Sequence, residues 1–174
     1  RMGGRVADGV FVGCTPPEIM APAMEHVRTG IGRRETPPDD FRVNTFWAWH
    51  IKEDREAAYR ESRRELAWRG RKLDPELLVN WLTEEEAQFV QDNFDAYVTA
   101  YFDRSGIVKG VPDDINDRLM HGMTSTGGLE DLDREIERFR MFRDQGLTEI
   151  ALRLHEDPMD ALRIIGERVV PVLK

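Results

Sequence analysis

The sequence predicts an α/β domain built on parallel strands, and three observations predict it. Apolar runs rich in β-branched or aromatic residues occur at 8–13, 41–51 and 148–154. Such runs read as buried strands. A helical periodicity follows each of them. The alternation of strand and helix calls for right-handed crossovers, which make the strands parallel.

A chain of 174 residues suits one domain with a sizeable core. It is 40% hydrophobic and 33% charged, which is ordinary if somewhat polar. A net charge of -8 argues against a nucleic-acid partner, because phosphate binding needs a positive field. The single cysteine, Cys14, allows no internal disulfide and fits a reducing cytoplasm. No apolar run approaches the roughly 20 residues that span a bilayer, so no membrane is expected. No signal-peptide pattern opens the chain. It starts Arg1-Met2-Gly3-Gly4 with no element expected before the first strand, which reads as the middle of something longer.

The first strand is Asp8-Gly9-Val10-Phe11-Val12-Gly13. Thr15, Pro16 and Glu18 form a helix-start signature. Met20, Met24, Val27 and Ile31 fall on one face of the helix that follows, and Pro22 kinks it or delays its start. Gly30 and Gly32 end it. The second strand, 41–51, holds two of the four tryptophans.

Residues 53–69 read as a charged helix with i,i+4 pairs Glu56–Arg60 and Glu65–Arg69 and a narrow buried stripe of Ala57, Glu61, Arg64 and Trp68. Residues 71–122 show no strand signal. They read as a helical insertion with helices at 75–81, 84–103 and 112–120, the second capped by Thr83 with Glu86. Phe89, Phe94, Tyr97, Val98 and Tyr101 supply its apolar face. A loop is expected at 124–128. An amphipathic helix follows at 130–143, with Leu129, Leu132, Ile136, Phe139 and Phe142 on one face. Gly146 caps it and the third strand begins at Thr148. Asp157 and Pro158 open the last helix, with Ala161, Leu162, Ile165 and Val169 facing inward and Pro171 closing it.

In parallel α/β architectures the site lies at the C-terminal strand ends. Those ends carry Gly13 and Cys14, then Trp49-His50-Ile51, then Leu154-His155. Strand alternation puts Phe46, Ala48 and His50 on one side and Trp47 and Trp49 on the other. His50 near a strand end is placed to donate a proton or orient a cofactor. A lone histidine is nonetheless more often a packed one with a satisfied hydrogen bond. His155 reads the same way, with helix capping by its neighbours the plainer account. His26 and His121 read as structural or surface. No His pair has metal-ligand spacing, so no metal is expected.

Cys14 follows a strand, but no activating base can be named beside it, and a small buried residue is the simpler reading. Gly127-Gly128 before a helix could offer free N–H groups to a phosphate, but a lone Gly-Gly is a very weak signal and a flexible turn is the plainer reading. The charge runs at 53–65 and 130–144 read as solvated helix faces, and the Trp47/Trp49 pair as core. No P-loop, GxGxxG or GxSxG motif is present.

Several pieces together resemble the luciferase-like monooxygenase superfamily. Gly4-Arg5-Val6-Ala7-Asp8-Gly9 resembles its AG-x-x-ADG before a strand. Arg28-Thr29-Gly30-Ile31-Gly32-Arg33 is similar to its GR turn, and 41–51 running into Glu53-Asp54-Arg55-Glu56-Ala57 to its strand ending in ED-x-x-EA. Val111-Pro112-Asp113-Asp114, Gly127-Gly128-Leu129-Glu130-Asp131-Leu132 and Gly146-Leu147-Thr148-Glu149-Ile150 resemble VPDE, GTPEEV and G-V-D-x-I, with Gly128-Leu129 where Thr-Pro is usual. Pro158-Met159-Asp160-Ala161-Leu162 through Val170-Pro171-Val172-Leu173 looks like the terminal helix. No single motif is specific, but their order and spacing run through the chain.

The resemblance implies the C-terminal part of a (β/α)8 TIM barrel, about its last three βα units, with residues 1–174 as one portion of one domain. A closed barrel needs eight strands and about 250 residues. A piece of this kind exposes a strand edge that another copy must cover, so a homo-oligomer, such as a dimer, is expected. A fragment should be inactive alone, and a mass spectrum distinguishes a fragment from a longer chain.

The resemblance further implies an oxidoreductase that uses coenzyme F420 or flavin mononucleotide (FMN) on a small-molecule substrate. In the alkanesulfonate-type flavin branch this strand carries an inward Arg and His. Phe46 and Ala48 stand there in this chain, which favours the F420-dependent branch that includes methylenetetrahydromethanopterin reductase. Phe46, Ala48 and His50, with Gly13 and Cys14, are then the candidate cofactor-binding residues, and no catalytic acid is identified. The alternatives are an FMN-dependent monooxygenase and a non-catalytic relative or assembly module.

Overall fold

A computed structural model describes residues 1–13, 15–36, 38–66 and 75–173. The chain is α/β with parallel strands, as the alternation predicts. It divides into two compact units: residues 1–48 with 133–153 and 164–174, and residues 49–132 with 154–163.

The first unit contains α1 (Met2–Val6), β1 (Gly9–Phe11), α2 (Ala21–Ile31), most of β2 (Arg42–Ile51), α8 (Leu132–Gln145) and β4 (Glu149–Arg153). β2 is the middle strand. It pairs in parallel with β1 from Gly9↔Arg42 to Phe11↔Asn44, and with β4 from Asn44↔Glu149 to Ala48↔Arg153. Thr148 pins the start of β4: its Oγ accepts from the Val43 amide at 2.9 Å and donates to the Val43 carbonyl at 3.2 Å.

Trp47 is fully buried and meets Phe142 of α8 edge to face at 5.2 Å. The guanidinium of Arg138 lies over the Trp47 ring at 5.4 Å and pairs with the fully buried Glu135 at 3.0 Å. The charge run of this helix is therefore not a uniformly solvated face. Its acidic and basic groups are one turn apart, so they neutralise each other on entering the interior.

A short helix, α1, precedes the first strand where no element was expected. It docks on α2 through glycines, because a Cβ on Gly30 would overlap the Arg1 carbonyl oxygen and one on Gly4 the Val27 carbonyl oxygen. Arg34 reaches back to the carbonyls of Gly4, at 2.7 Å, and Ala7. The Thr15 signature yields only a 3-10 turn at Pro17–Ile19, and α2 starts at Ala21 with Pro22 in its first turn. Proline lacks the N–H that an interior helical position needs, which delays the start.

The second unit contains the end of β2, then α3 (Arg55–Glu65), α4 (Pro75–Leu78), α5 (Glu84–Asp92), α6 (Phe94–Phe102), α7 (Asp113–Met123) and β3 (Ser125–Gly127). The last of these is a correction. Residues 125–127 are not a loop but a parallel strand, paired Trp49↔Ser125, His50↔Thr126 and Ile51↔Gly127. Ser-Thr-Gly carries no strand signal of its own. Its hydroxyls supply the anchor instead: Thr126 donates to Ser62 at 2.8 Å, Thr124 bonds Thr126 at 2.6 Å, and Thr124 donates to the Met120 carbonyl at 2.7 Å.

Among its described residues the insertion carries helices and turns but no strand, and its residues Leu78, Leu82, Val90, Tyr97 and Leu119 share one core with Leu66 at the end of α3. The long helix expected at 84–103 is two helices broken at Asn93. Asn93 leaves helical geometry and its side chain bonds the Phe89 carbonyl at 2.9 Å. Local side-chain bonds of this kind compete with the helix. Tyr97 is fully buried as expected, whereas Phe89 is 36% exposed. The Thr83–Glu86 capping box forms as predicted.

Past β4, α9 runs over Pro158–Ile164, then a π turn over Ile165–Val169 leads into α10 (Val170–Leu173). Leu162, expected inward, is 52% exposed, and Ile164 is buried in its stead. Among the described residues no helix is long and apolar enough to cross a membrane.

Candidate functional site

β2 delivers His50, Lys52 follows directly after the strand's end at Ile51, and α3 begins within a few residues, capped by Asp54 on the Ala57 amide. A strand running so directly into a helix returns the helix's first turns over the strand end. Glu61 therefore lies against His50. Both are buried, and His50 Nδ1 meets Glu61 Oε1 at 2.7 Å. A carboxylate only accepts, so the Nδ1 atom carries the proton and donates it to Glu61.

Glu61 Oε2 takes two more partners: Lys52 Nζ at 3.0 Å and the Glu156 backbone N–H at 3.0 Å. Lys52 Nζ in turn donates to the Glu156 carbonyl at 2.9 Å. One carboxylate thus ties the end of β2, the middle of α3 and the turn at residue 156. Burial pushes the Glu61 carboxyl up, but the His50 hydrogen bond and charge, and then Lys52, outweigh it and hold the group at about 2.

A second pair stands beside the first. The His155 ring stacks on the His50 ring at 4.6 Å with 23° between planes. His155 Nδ1 faces Glu65 Oε2 at 3.6 Å. Glu61 and Glu65 are one helical turn apart on α3, so they present two carboxylates to two stacked imidazoles. Arg64, between them in sequence, bonds Glu65 at 3.4 Å and Glu156 at 2.7 Å. Its hydrogen bond, and then its charge, hold the Glu156 carboxyl below the usual carboxylate range against the opposing effect of burial.

This side of α3 is a buried ionic network, not the narrow apolar stripe or solvated face that its composition suggests. Glu61, Arg64 and Glu65 are each under a tenth exposed. Trp68, expected on the same stripe, lies outside the described residues.

The sequence-predicted residues are not one site. Phe46, Ala48 and Gly13 belong to the first unit and His50 to the second. Phe46 is 50% exposed and meets the half-exposed Phe11 edge to face at 5.0 Å, so β1 and β2 carry an open aromatic pair. Ala48 and His50 are buried. His50 is sealed at 1% exposure and held by Glu61, so it acts as a structural and electrostatic hub. The Gly13 carbonyl accepts from Thr15 Oγ at 3.0 Å, and Cys14 lies outside the described residues.

Gly127-Gly128 does not offer an open phosphate cradle. The Gly128 amide donates to Asp131 at 2.9 Å, and Arg55 clamps Asp131 at 2.7 Å and Glu130 at 2.6 Å. His121 bonds the Tyr59 hydroxyl at 2.8 Å, a structural role as expected. Among the described residues no His, Cys, Asp and Glu cluster could hold a metal ion. Sequence reasoning missed Lys52, Glu61, Glu65 and Glu156. The available signal was the i,i+4 spacing of Glu61 and Glu65 directly after a strand ending in His-Ile-Lys.

A parallel α/β fold with these strand ends belongs to the barrel class that places its chemistry on the loops after the strands. The luciferase-like monooxygenase family profile matches residues 1–149, and the chain belongs to that family. It is similar to coenzyme F420-dependent tetrahydromethanopterin reductase from Methanopyrus kandleri, with a TM-score of 0.72, 18% identity, and coverage of 99% of this chain and 47% of that one. It is also similar to an F420-dependent secondary alcohol dehydrogenase solved with an F420-acetone adduct, with a TM-score of 0.55, 16% identity, and coverage of 98% and 44%. These likenesses establish the fold. The chain spans just under half the length of either structure. No curated protein sequence matches it.

Proposed function

We propose that this chain is the C-terminal portion of an F420-dependent oxidoreductase of the luciferase-like family, acting on a small organic substrate. The observation that carries the reading is family membership over 1–149 together with a fold shared with two F420-dependent enzymes. The deazaflavin, when bound, supplies hydride transfer, and the protein supplies positioning and exclusion of water.

The open aromatic pair suits the planar ring of such a group. Phe46, with Phe11, offers half-exposed apolar surface on adjacent parallel strands. Ala48 beside it on the same strand adds no bulk. His50 does not fit direct contact, since its ring is buried in the Glu61 network. Its part is to keep the end of β2 in place. The strands of a partial barrel need covering, and a homo-oligomer provides that cover.

The test is to add F420 and FMN separately to the purified full-length protein that contains this chain and follow each cofactor's fluorescence. Saturable F420 binding, weakened by Phe46→Ser, is the expected result. FMN binding without F420 binding would instead assign a flavin monooxygenase. Binding of neither by a well-folded protein would assign a non-catalytic relative.

A further inference from the structure

The second unit contains a half-open cavity of about 260 Å³, lined by α3, the 104–105 turn and Glu156. Three arginines line it, Arg60, Arg64 and Arg104. Two carboxylates also line it, but both are already engaged. Glu61 is held by His50, Lys52 and the Glu156 amide. Glu156 is held by Arg64 at 2.7 Å and by Arg104 at 3.4 Å.

Donors remain unspent. Among the described residues the Arg60 side chain forms no hydrogen bond or ion pair. Arg104 spends one donor, on an oxygen that Arg64 already holds at closer range. Guanidinium carries five N–H donors. Ser105 Oγ accepts from the Ile107 amide at 3.1 Å, which leaves its hydroxyl proton to donate.

The backbone that carries them is held in place. The 104–106 turn has Arg104 at φ 56° and Gly106 at φ 66°. It packs so closely on α3 that a Cβ on Gly106 would overlap the Arg60 carbonyl oxygen. The backbone of Arg104 and Ser105 is therefore held beside that of Arg60, with the Arg104 side chain extending into solvent. In a chain of net charge -8, this is a positively charged concavity with free hydrogen-bond donors.

We infer that this cavity binds an oxyanion of a small phosphorylated or carboxylated molecule, with Arg60, Arg104 and Ser105 as its donors and Arg64 as a fixed background charge. Planar guanidinium groups match phosphate and carboxylate oxygens in pairs, which gives such a site geometry as well as charge. The volume lies below the roughly 300–1,000 Å³ of pockets that enclose a drug-sized ligand. It admits an oxyanion and a short stem, with the rest of the molecule outside. The inference is independent of the cofactor reading, since it uses only the charges and free donors of this unit.

Calorimetric titration of the full chain tests it, with inorganic phosphate in one arm and succinate in the other. Saturable binding that weakens as salt is added is expected in at least one arm. Tighter phosphate assigns a phosphorylated ligand and tighter succinate a carboxylated one. Arg60→Gln and Arg104→Gln should each weaken binding about tenfold or more, the scale of one lost charge-assisted hydrogen bond. Thermal unfolding of the Arg60 variant should be unchanged, because that side chain supports nothing in the fold. Arg60→Lys, which keeps the charge and loses the fork, should bind with intermediate strength. Absence of saturable binding in both arms, or binding that survives both glutamine substitutions, overturns the proposal.

Discussion

Replacing Glu61 by Gln should destabilise the protein by about 3 kcal/mol at neutral pH. The carboxyl sits at about 2 in the folded protein against an ordinary value of 4.5. That difference corresponds to about 3 kcal/mol of preference for the ionised form. The geometry agrees, because the amide of Gln must place an NH₂ donor against either the His50 N–H or the Lys52 ammonium and the Glu156 N–H. Breaking a buried ion pair by removing one partner typically costs about 3–5 kcal/mol. For a chain of this size the change should lower the unfolding midpoint by roughly 6–12 °C.

The sign of the pH dependence follows from the depressed value. The contribution is complete above 4.5 and is lost as pH falls through about 2. Wild type and Glu61→Gln should therefore differ most at neutral pH and converge on acidification. Urea denaturation followed by circular dichroism at a series of pH values measures both quantities. A loss below about 1 kcal/mol at neutral pH, or a difference that does not shrink in acid, would refute the argument that this carboxylate is an ionised hub.

Three further outcomes are expected. Trp47→Ala should cost about 3–5 kcal/mol in chemical denaturation, because it empties a fully buried ring site shared with Phe142 and Arg138. Tyr97→Phe should be neutral or stabilising by up to about 1 kcal/mol in the same assay. Its hydroxyl is buried with no hydrogen-bond partner among the described residues, and burial pushes the phenol's pKa up. Gly30→Ala should cost about 1–3 kcal/mol, because the new methyl collides with α1. Amide exchange in Met2–Val6 should quicken more than elsewhere.

The sequence by itself determined the alternation, and with it the parallel strands and the family. The strand 41–51, the helix faces carrying Met24, Val27, Phe139 and Phe142, and the Thr83 capping box are local patterns. Each is set by residues a few positions apart, and each stands in the structure close to where the pattern puts it.

Only the tertiary structure decided the rest. β3 is a strand because His50 and its neighbours supply the ladder and Ser62 receives its hydroxyls, not because Ser-Thr-Gly favours extension. Glu61 and Arg64 fall on the stripe expected to be buried and apolar, and the charge run around them reads as solvated, because charge in a sequence carries no sign of its partner. Their partners His50, His155 and Glu156 arrive from other elements, up to 95 positions away in the case of the Glu61–Glu156 bond. Burial of a charge is a property of the pair, and the pair exists only once the chain has folded.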